Sequence, residues 1–392
     1  MLFLVVLLAV SGGIWAQDTP SSNVYDIKDI TIVPHTSVKN QGSSGTCWCF
    51  AGMGLVEAEL LRKYDKEFDL SEMYAVRGAW LEKIKKHVRM HGNSTLSQGG
   101  EVIDAIYMIN QYGMMPESEY TGMVLGESRH MHGEMNEVLT SFAKAVLKKS
   151  NGKLSSVWQD ALPGLLDTYL GVVPDNFVFE GKQYDARSFA DAYPIHVDDY
   201  VQIASFLHRV EYAPFIVEIP DNWTWTSAYN IPMDEMMQVL DRALESGYAV
   251  GWAQDVSTKG FTRKGIGIVP QDDIDVLRAA HPERYEGKTD KEIKDGLYAM
   301  TELVVEKEVT PEMHQKAYDN WDVTDDHSML IVGIAQDQNG AKYYKVKNSW
   351  GTHDMDYEGY WYCSESYVRL HTIFFTLNKE ALKKDIRKKL GI

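Results

Sequence analysis

A loop-forming segment that runs directly into a helical pattern is the feature that most constrains the fold of this chain. Residues 41–50 read QGSSGTCWCF. Glycine adopts backbone angles that other residues avoid, and serine bonds to nearby amides, so residues 42–45 favour a loop. Beyond Thr46, apolar side chains recur as on one face of a helix: Ala51, Leu55, Ala58 and Leu61. Cys47 is therefore predicted at a helix N-terminus, where free amides and the helix dipole favour a thiolate over a thiol.

Composition and charge exclude several functions. The chain has 392 residues, enough for two or three domains or one large two-lobed enzyme. Apolar residues make up 44% and charged residues 24%, as in an ordinary globular protein. The formal net charge of −17 repels nucleic acid and anionic membranes, so no nucleic-acid partner is expected.

The N-terminus carries an apolar run, Leu2 to Val10, that is too short to span a bilayer as a helix. Small residues follow, and Ala16 is suited to be the last residue before a cleavage site. We predict a secretory signal peptide at residues 1–16, a periplasmic or secreted protein, and no stable membrane span after cleavage. No lysine or arginine precedes the run, so a buried N-terminal strand in a cytoplasmic protein is the alternative.

The three cysteines are Cys47, Cys49 and Cys363, which is too few for a disulfide framework. Cys47 and Cys49 point in different directions on a helix, and a Cys-x-Cys pair lacks the second pair of ligands that zinc requires. No metal and no cofactor are expected. For Cys47 the alternatives are an inert buried cysteine and a nucleophile.

The second half of the chain supplies candidate partners for a nucleophilic cysteine. His327 starts one predicted strand, near residues 329–334, and Asn348 ends the next, at residues 342–347. In a hairpin the Asn348 amide oxygen accepts from one ring nitrogen of His327, and the other nitrogen faces Cys47. Gln41 and the backbone N–H of Cys47 are candidate donors to the oxyanion of an acyl-transfer reaction.

Three motifs together resemble the papain family of cysteine peptidases: Gln41-x3-Gly45-x-Cys47-Trp48, a distant His327, and Asn348-Ser349-Trp350-Gly351. Ser44 stands where many members have a disulfide cysteine. His327 follows Cys47 by 280 residues, against roughly 130–150 in papain. The missing disulfide and the long insertion are similar to the branch of bleomycin hydrolase and aminopeptidase C.

The resemblance implies a role for each matching position. Cys47 is the nucleophile, His327 is general base and then general acid, and Asn348 orients His327. The remaining roles are oxyanion binding by Gln41, shielding of the His327–Asn348 bond by Trp350, and substrate binding by Gly99, Gly100 and Asp326. The glycine pair exposes backbone to an extended peptide, because no side chain blocks the approach.

The resemblance also implies an α+β, papain-like two-lobed fold, with a helical left lobe that carries the catalytic-cysteine helix and an antiparallel, β-barrel-like right lobe. The predicted division is residues 17–120 for the N-terminal strand and helical lobe, 121–231 for a long, mixed helical insertion, 232–378 for the β-rich lobe with a helical insertion at 270–320, and 379–392 for a C-terminal helix and tail near the cleft. Peptides are the expected substrates, and a homohexamer is a trait of the family.

In bleomycin hydrolase-like proteins the C-terminal arm blocks the cleft, and its carboxylate meets the free amine of the substrate. Here Leu382, Ile386 and Leu390 predict an amphipathic helix that docks on the body, and two residues follow it. We expect a cysteine aminopeptidase. The alternatives are an open-cleft endopeptidase, a catalytically silent peptidase-like binding protein, and an acyltransferase or amide hydrolase on the same fold.

Overall fold

The computed structural model describes residues 24–124, 126, 128–148, 152–353 and 355–392. The predicted signal peptide at residues 1–16 lies outside the described residues. None of the helices in this described part combines the length and apolar character needed to cross a membrane.

Among the described residues, the first half of the chain contains six helices: α1 Cys47–Tyr64, α2 Glu72–Arg89, α3 Val102–Tyr112, α4 Gly133–Leu147, α5 Ala161–Leu170 and α6 Ala186–Ala192. The first of them begins at Cys47, as the apolar spacing predicts. Ser71 caps α2 by accepting from the Tyr74 amide at 3.1 Å, and Gly113, with φ of 88°, ends α3. These local signals explain why the helices begin and end where they do.

The strands build one large, mostly antiparallel sheet. They are β1 Lys28–Ile32, β4 Tyr200–Ala204, β5 Pro214–Ile216, β6 Ser227–Asn230, β7 Val250–Gln254, β8 Ile266–Gly267, β9 His327–Gln336, β10 Lys342–Lys347, β11 Tyr360–Ser364 and β12 Thr372–Asn378, with β2 Phe177–Phe179 and β3 Lys182–Tyr184 as a separate hairpin. The order is β5-β6-β4-β12-β7-β9-β10-β11-β8, and β1 pairs with β9. Among the described strands this is an open path that runs from β5 to β8.

The core lies where α1 packs on β9 and β7, and close backbone approaches set the position of α1. A Cβ on Gly52 would lie 2.5 Å from the Cβ of Ala105, so α1 and α3 need glycine there to come together. On another face, a Cβ on Gly54 would lie 3.3 Å from Leu330 of β9. The helix that begins at Cys47 is thus clamped between α3 and the strand that begins at His327.

The long region between the two lobes contributes to both. Residues 121–231 include α4, α5, α6 and the β2–β3 hairpin, but their last part, β4 to β6, extends the main sheet. It joins there because Phe375 and Leu377 of β12 pair with Ile203 and Val201 of β4. The predicted helical insertion at 270–320 consists of short helices: α8 Ile274–Ala280, α9 Pro282–Tyr285, α10 Asp290–Gly296 and α11 Pro311–Asp319.

The C-terminal segment docks on the body, as its apolar spacing predicts. Leu382, Ile386 and Leu390 are buried, the last two on α13 Lys384–Leu390, and Lys389 bonds to Glu235 of α7 Met233–Glu245 at 3.0 Å. The segment starts at Asn378, which donates to Glu59 at 3.4 Å. Glu59 lies twelve residues beyond Cys47, about 18 Å along α1, and the position of the tail near the cleft stays a prediction. The short helix α12 Glu365–His371 completes the fold.

Candidate active site

Cys47 is the first residue of α1 and is held beside the sheet by the loop that precedes it. The Gln41 amide donates to the Ser349 carbonyl at 2.8 Å, and the Ser44 hydroxyl donates to the Gln41 carbonyl at 2.7 Å. Cys47 is partly exposed, whereas Cys49 and Cys363 are buried in the core. The loop therefore presents one of the three thiols to the cleft between α1 and the sheet.

His327 and Asn348 are brought together by the β9–β10 pairing. His327 begins β9, Asn348 follows β10, and His327 Nε2 lies 2.8 Å from Asn348 Oδ1. The Ser349 amide also donates to this oxygen, at 2.7 Å, which identifies it as the carbonyl oxygen of the side chain. Because that oxygen only accepts, Nε2 carries the proton and Nδ1 is left to accept one.

Trp350 covers the His327–Asn348 hydrogen bond. Its ring stacks on His327 with a centroid distance of 4.8 Å and an interplanar angle of 30°. Edge contacts with Phe261 and Trp361 hold the indole in place, at centroid distances of 6.0 and 5.4 Å. His327 and Asn348 are buried, so the bond is kept from water and the ring orientation is fixed.

The protonation of Cys47 differs from the prediction made from the helix terminus. Burial raises the pKa of the Cys47 thiol to about 12, and the Asp325 carboxylate adds to this, while the Ser328 amide opposes it by hydrogen bonding to the thiol. Burial also lowers the pKa of His327. Both shifts favour the neutral thiol and the neutral imidazole over the ion pair, and a thiolate forms when its proton moves to His327 and leaves two opposite charges side by side.

Ser349, to which the motif alone assigns no role, positions Gln41 as an oxyanion donor. Gln41 Oε1 accepts from the Ser349 hydroxyl at 2.6 Å, and its Nε2 donates to the Ser44 carbonyl at 2.8 Å. A primary amide has two N–H bonds, so the second one is left for a ligand. The Asn-Ser-Trp-Gly motif was the signal for Ser349, which ties the oxyanion donor to the residue after Asn348.

The glycine pair lies next to Trp48, the residue after Cys47. A Cβ on Gly100 would lie 3.2 Å from the Trp48 ring, and a Cβ on Gly99 would lie 1.9 Å from Oδ2 of Asp221. Trp48 Nε1 donates to the Gln98 carbonyl at 3.0 Å and fixes this segment against α1. Close packing on both faces requires glycine here, and backbone pairing with a peptide stays a prediction.

Asp326 is beside His327, but its carboxylate is already engaged. It accepts from the amides of Val256 at 2.8 Å and Ser257 at 3.2 Å, and so holds the loop after β7. Its predicted contact with substrate stays a prediction. Within the described ranges no group of three or more histidine, cysteine or acidic residues has the arrangement of a metal site.

Comparison with known proteins adds family matches in both halves of the chain. The papain family cysteine protease pattern matches residues 22–157, and the peptidase C1-like family pattern matches residues 293–391. Aminopeptidase C of Lactococcus lactis subsp. cremoris is 22% identical over 386 residues, which cover 89% of this chain and 82% of the relative. Aminopeptidase G of Lactobacillus delbrueckii subsp. lactis is 22% identical over 394 residues, covering 91% and 84%.

A solved structure shares the whole fold. The crystal structure of PepW from Lactobacillus rhamnosis matches with a TM-score of 0.68 at 17% identity, covering 93% of this chain and 84% of that one. Fold, site and family matches together define this chain as a papain-like cysteine peptidase. Within that class its relatives include aminopeptidase C of two Lactococcus lactis strains, which agrees with the branch that the sequence motifs resemble.

Replacing Asn348 by alanine is expected to lower kcat about 100-fold with little change in KM, because His327 loses the acceptor that sets its tautomer and ring orientation. Steady-state kinetics on a fluorogenic peptide amide measure the effect. The matched control is Asn339→Ala, which alters an exposed asparagine in the β9–β10 turn. Equal kcat values for the two variants would contradict the role of Asn348.

Proposed function

We propose that this protein is a cysteine aminopeptidase, which hydrolyses the first peptide bond of a substrate with a free N-terminus. The observation that carries the proposal is the His327–Asn348 hydrogen bond of 2.8 Å beside Cys47, covered by Trp350. The names of the relatives that align over about nine-tenths of the chain support the exopeptidase assignment.

Acylation begins when His327 Nδ1 takes the proton of the Cys47 thiol. The sulfur attacks the carbonyl carbon of the scissile bond, and the carbonyl π pair moves to the oxygen. The Cys47 N–H and the free N–H of Gln41 stabilise that oxyanion. When the intermediate collapses, the C–N bond breaks, His327 gives its proton to the leaving amine, and a thioester remains on Cys47.

Deacylation uses the same groups in reverse. His327 takes a proton from a water molecule, and the water oxygen attacks the thioester carbonyl. The C–S bond breaks, Cys47 recovers the proton from His327, and the N-terminal amino acid leaves as a carboxylic acid. Throughout both halves Asn348 holds the imidazolium, which stabilises the charge that His327 carries while it stores the proton.

An open-cleft endopeptidase is the second candidate, and one observation favours it. The C-terminal helix α13 docks on α7 through Lys389 and Glu235. Its segment begins at Asn378, which bonds to Glu59 of α1 rather than lying beside Cys47. An arm held in that position is expected to leave the cleft open to residues upstream of the scissile bond.

Export and assembly are two further parts of the proposal. The apolar run from Leu2 to Val10, followed by small residues, supports a cleaved signal peptide and a periplasmic or secreted location. The family resemblance supports a homohexamer. Mass spectrometry of the mature N-terminus and light scattering of the purified protein test these two statements separately.

A paired hydrolysis assay is expected to show cleavage of aminoacyl amides with a free N-terminus and at least tenfold slower cleavage of their N-acetylated twins. An aminopeptidase makes this distinction because its cleft ends at the substrate amine. Both substrates release the same fluorophore under reducing conditions, and kcat/KM is compared. Equal or faster cleavage of acetylated substrates would replace the aminopeptidase with the endopeptidase.

A further inference from the structure

Three carboxyl groups from distant parts of the chain meet beside Cys47. Glu101 precedes α3, Asp221 lies in the loop between β5 and β6, and Asp325 is two residues before His327. The negative charges of Asp325 and Asp221 both act on the Cys47 thiol and raise its pKa, after the larger effect of burial. Asp325 and Asp221 therefore act on the reacting sulfur through their charge, Glu101 acts on Asp325, and none of the three belongs to the catalytic machinery described above.

Glu101 is the buried member of this group and has no donor of its own. It is 0% exposed, and its carboxyl oxygens are left without hydrogen-bond donors apart from the carboxyl of Asp325, with which a proton is shared. Its carboxyl faces that of Asp325, and burial raises the pKa of both, that of Asp325 to about 8. A buried carboxyl pair without donors is unfavourable unless a proton or a cation is bound to it.

Asp221 is half-buried and lies on the backbone of Gly99. A Cβ on Gly99 would lie 1.9 Å from Oδ2 of Asp221, so the carboxylate occupies the space that any other residue would fill. The Ser97 hydroxyl donates to its other oxygen at 3.3 Å. Gly99 and Gly100 pack on Trp48, so Asp221 is held at the wall of the cleft next to Cys47.

Lys83 is the cation near this cluster, and its ammonium group bonds to backbone carbonyls. Lys83 Nζ bonds to the carbonyls of Ser97 at 3.2 Å and Gln98 at 3.4 Å, and also to that of Gly99. Asp104 is a fourth carboxylate near this cluster, but it accepts from the Glu101 amide and the Thr224 hydroxyl, both at 2.8 Å. Burial raises the pKa of Asp221 and the charge of Lys83 lowers it, but the hydrogen bonds of Lys83 go to backbone carbonyls, so the Asp221 carboxylate is left to pair with a cation from the cleft.

We propose that Asp221, backed by Asp325 and Glu101, binds the α-ammonium group of the substrate's first residue and so makes the enzyme select free N-termini. This inference rests on the proposed aminopeptidase function. In such a substrate the α-nitrogen is two bonds from the carbonyl carbon that Cys47 attacks, which brings it to the wall where Asp221 lies. A carboxylate–ammonium pair is a charge-assisted hydrogen bond, whereas an acetylated nitrogen leaves the carboxylates unpaired.

The test replaces Asp221 by asparagine, which keeps the shape and the bond from Ser97 but removes the charge. The ratio of kcat/KM for the free-amine substrate to that for its acetylated twin is expected to fall about 10- to 100-fold. The matched control is Asp191→Asn, which removes the same charge from an exposed position on α6 and leaves the ratio unchanged. Alkylation of Cys47 is expected to become faster in Asp221→Asn, because the thiol loses a neighbouring negative charge.

A second variant, Gly99→Ala, displaces the Asp221 carboxylate without removing its charge, because the added Cβ takes its place. The same fall in the ratio is expected, and Cys47 alkylation in both variants verifies that the site is folded. An unchanged ratio in both variants, with the wild type still preferring the free amine, would overturn the inference and leave the aminopeptidase standing.

Two other outcomes are distinct from that one. A wild type that prefers acetylated substrates would overturn the aminopeptidase and the inference together. Such a wild-type enzyme could also prefer substrates with lysine or arginine immediately before the residue whose carbonyl Cys47 attacks. If Asp221→Asn loses that preference, the carboxylates bind a basic side chain instead of an α-ammonium group.

Discussion

Replacing Cys47 by alanine is expected to lower kcat by about 10⁵-fold or more, because the reaction loses its nucleophile while the oxyanion donors and the substrate site remain. The residual rate then reflects binding and the Gln41 amide alone. The same thiol is the expected target of iodoacetamide, since Cys49 and Cys363 are both 0% exposed. Mass spectrometry of the native protein should find one adduct, at Cys47, in proportion to the activity lost.

The control for this variant is Cys49→Ala, two residues along the same helix. Its sulfur donates to the Glu72 carbonyl at 3.3 Å and faces the core, so its loss affects stability and leaves the mechanism intact. Cys49→Ala is expected to keep turnover within a few-fold of the wild type. Full activity in Cys47→Ala would show that another group is the nucleophile.

Replacing Lys39 by alanine is expected to lower the free energy of unfolding by about 3–5 kcal/mol. Lys39 Nζ bonds to Glu57 at 2.9 Å, to Glu72 at 2.7 Å and to Asp69 at 2.8 Å. Glu57 is 0% exposed and Glu72 is 3% exposed, so removal of Lys39 leaves two buried carboxylates without their cation. Denaturant unfolding followed by tryptophan fluorescence measures the loss.

Lys28→Ala is the comparison for this prediction. Lys28 also pairs with a carboxylate, Asp26 at 3.7 Å, but both side chains are largely exposed. The expected change there is within about 0.5 kcal/mol, since solvent screens the pair. Similar midpoints for Lys39→Ala and Lys28→Ala would show that the buried carboxylates find other partners or take up protons.

Features that depend on neighbouring residues could be read from the sequence. The helix Cys47–Tyr64 begins at the residue that the sequence predicts, because its apolar spacing and the loop before it are local signals. The pairing of His327 with Asn348 was also predictable, since a short turn between Asp337 and Gly340 leaves the two strands few ways to meet.

Features that depend on distant contacts could not be read in this way. Nothing near Asp221 in the sequence indicates that its carboxylate lies on Gly99, 122 residues earlier. The direction of the Cys47 pKa shift was predicted wrongly for the same reason, because the helix terminus is visible in the sequence and the burial and the Asp325 charge are not. Likewise, β4 to β6 join the main sheet through pairing with β12, which is made much later in the chain.

The separation of the catalytic residues along the chain also has a consequence for biosynthesis. The ribosome makes Cys47 280 residues before His327, which at about 5–20 residues per second is a delay of about 14–56 s. During that interval the Cys47 thiol has neither the histidine that takes its proton nor the asparagine that orients this histidine. A nascent chain is therefore inert toward itself and its neighbours, and hydrolysis begins only when the last strands have paired.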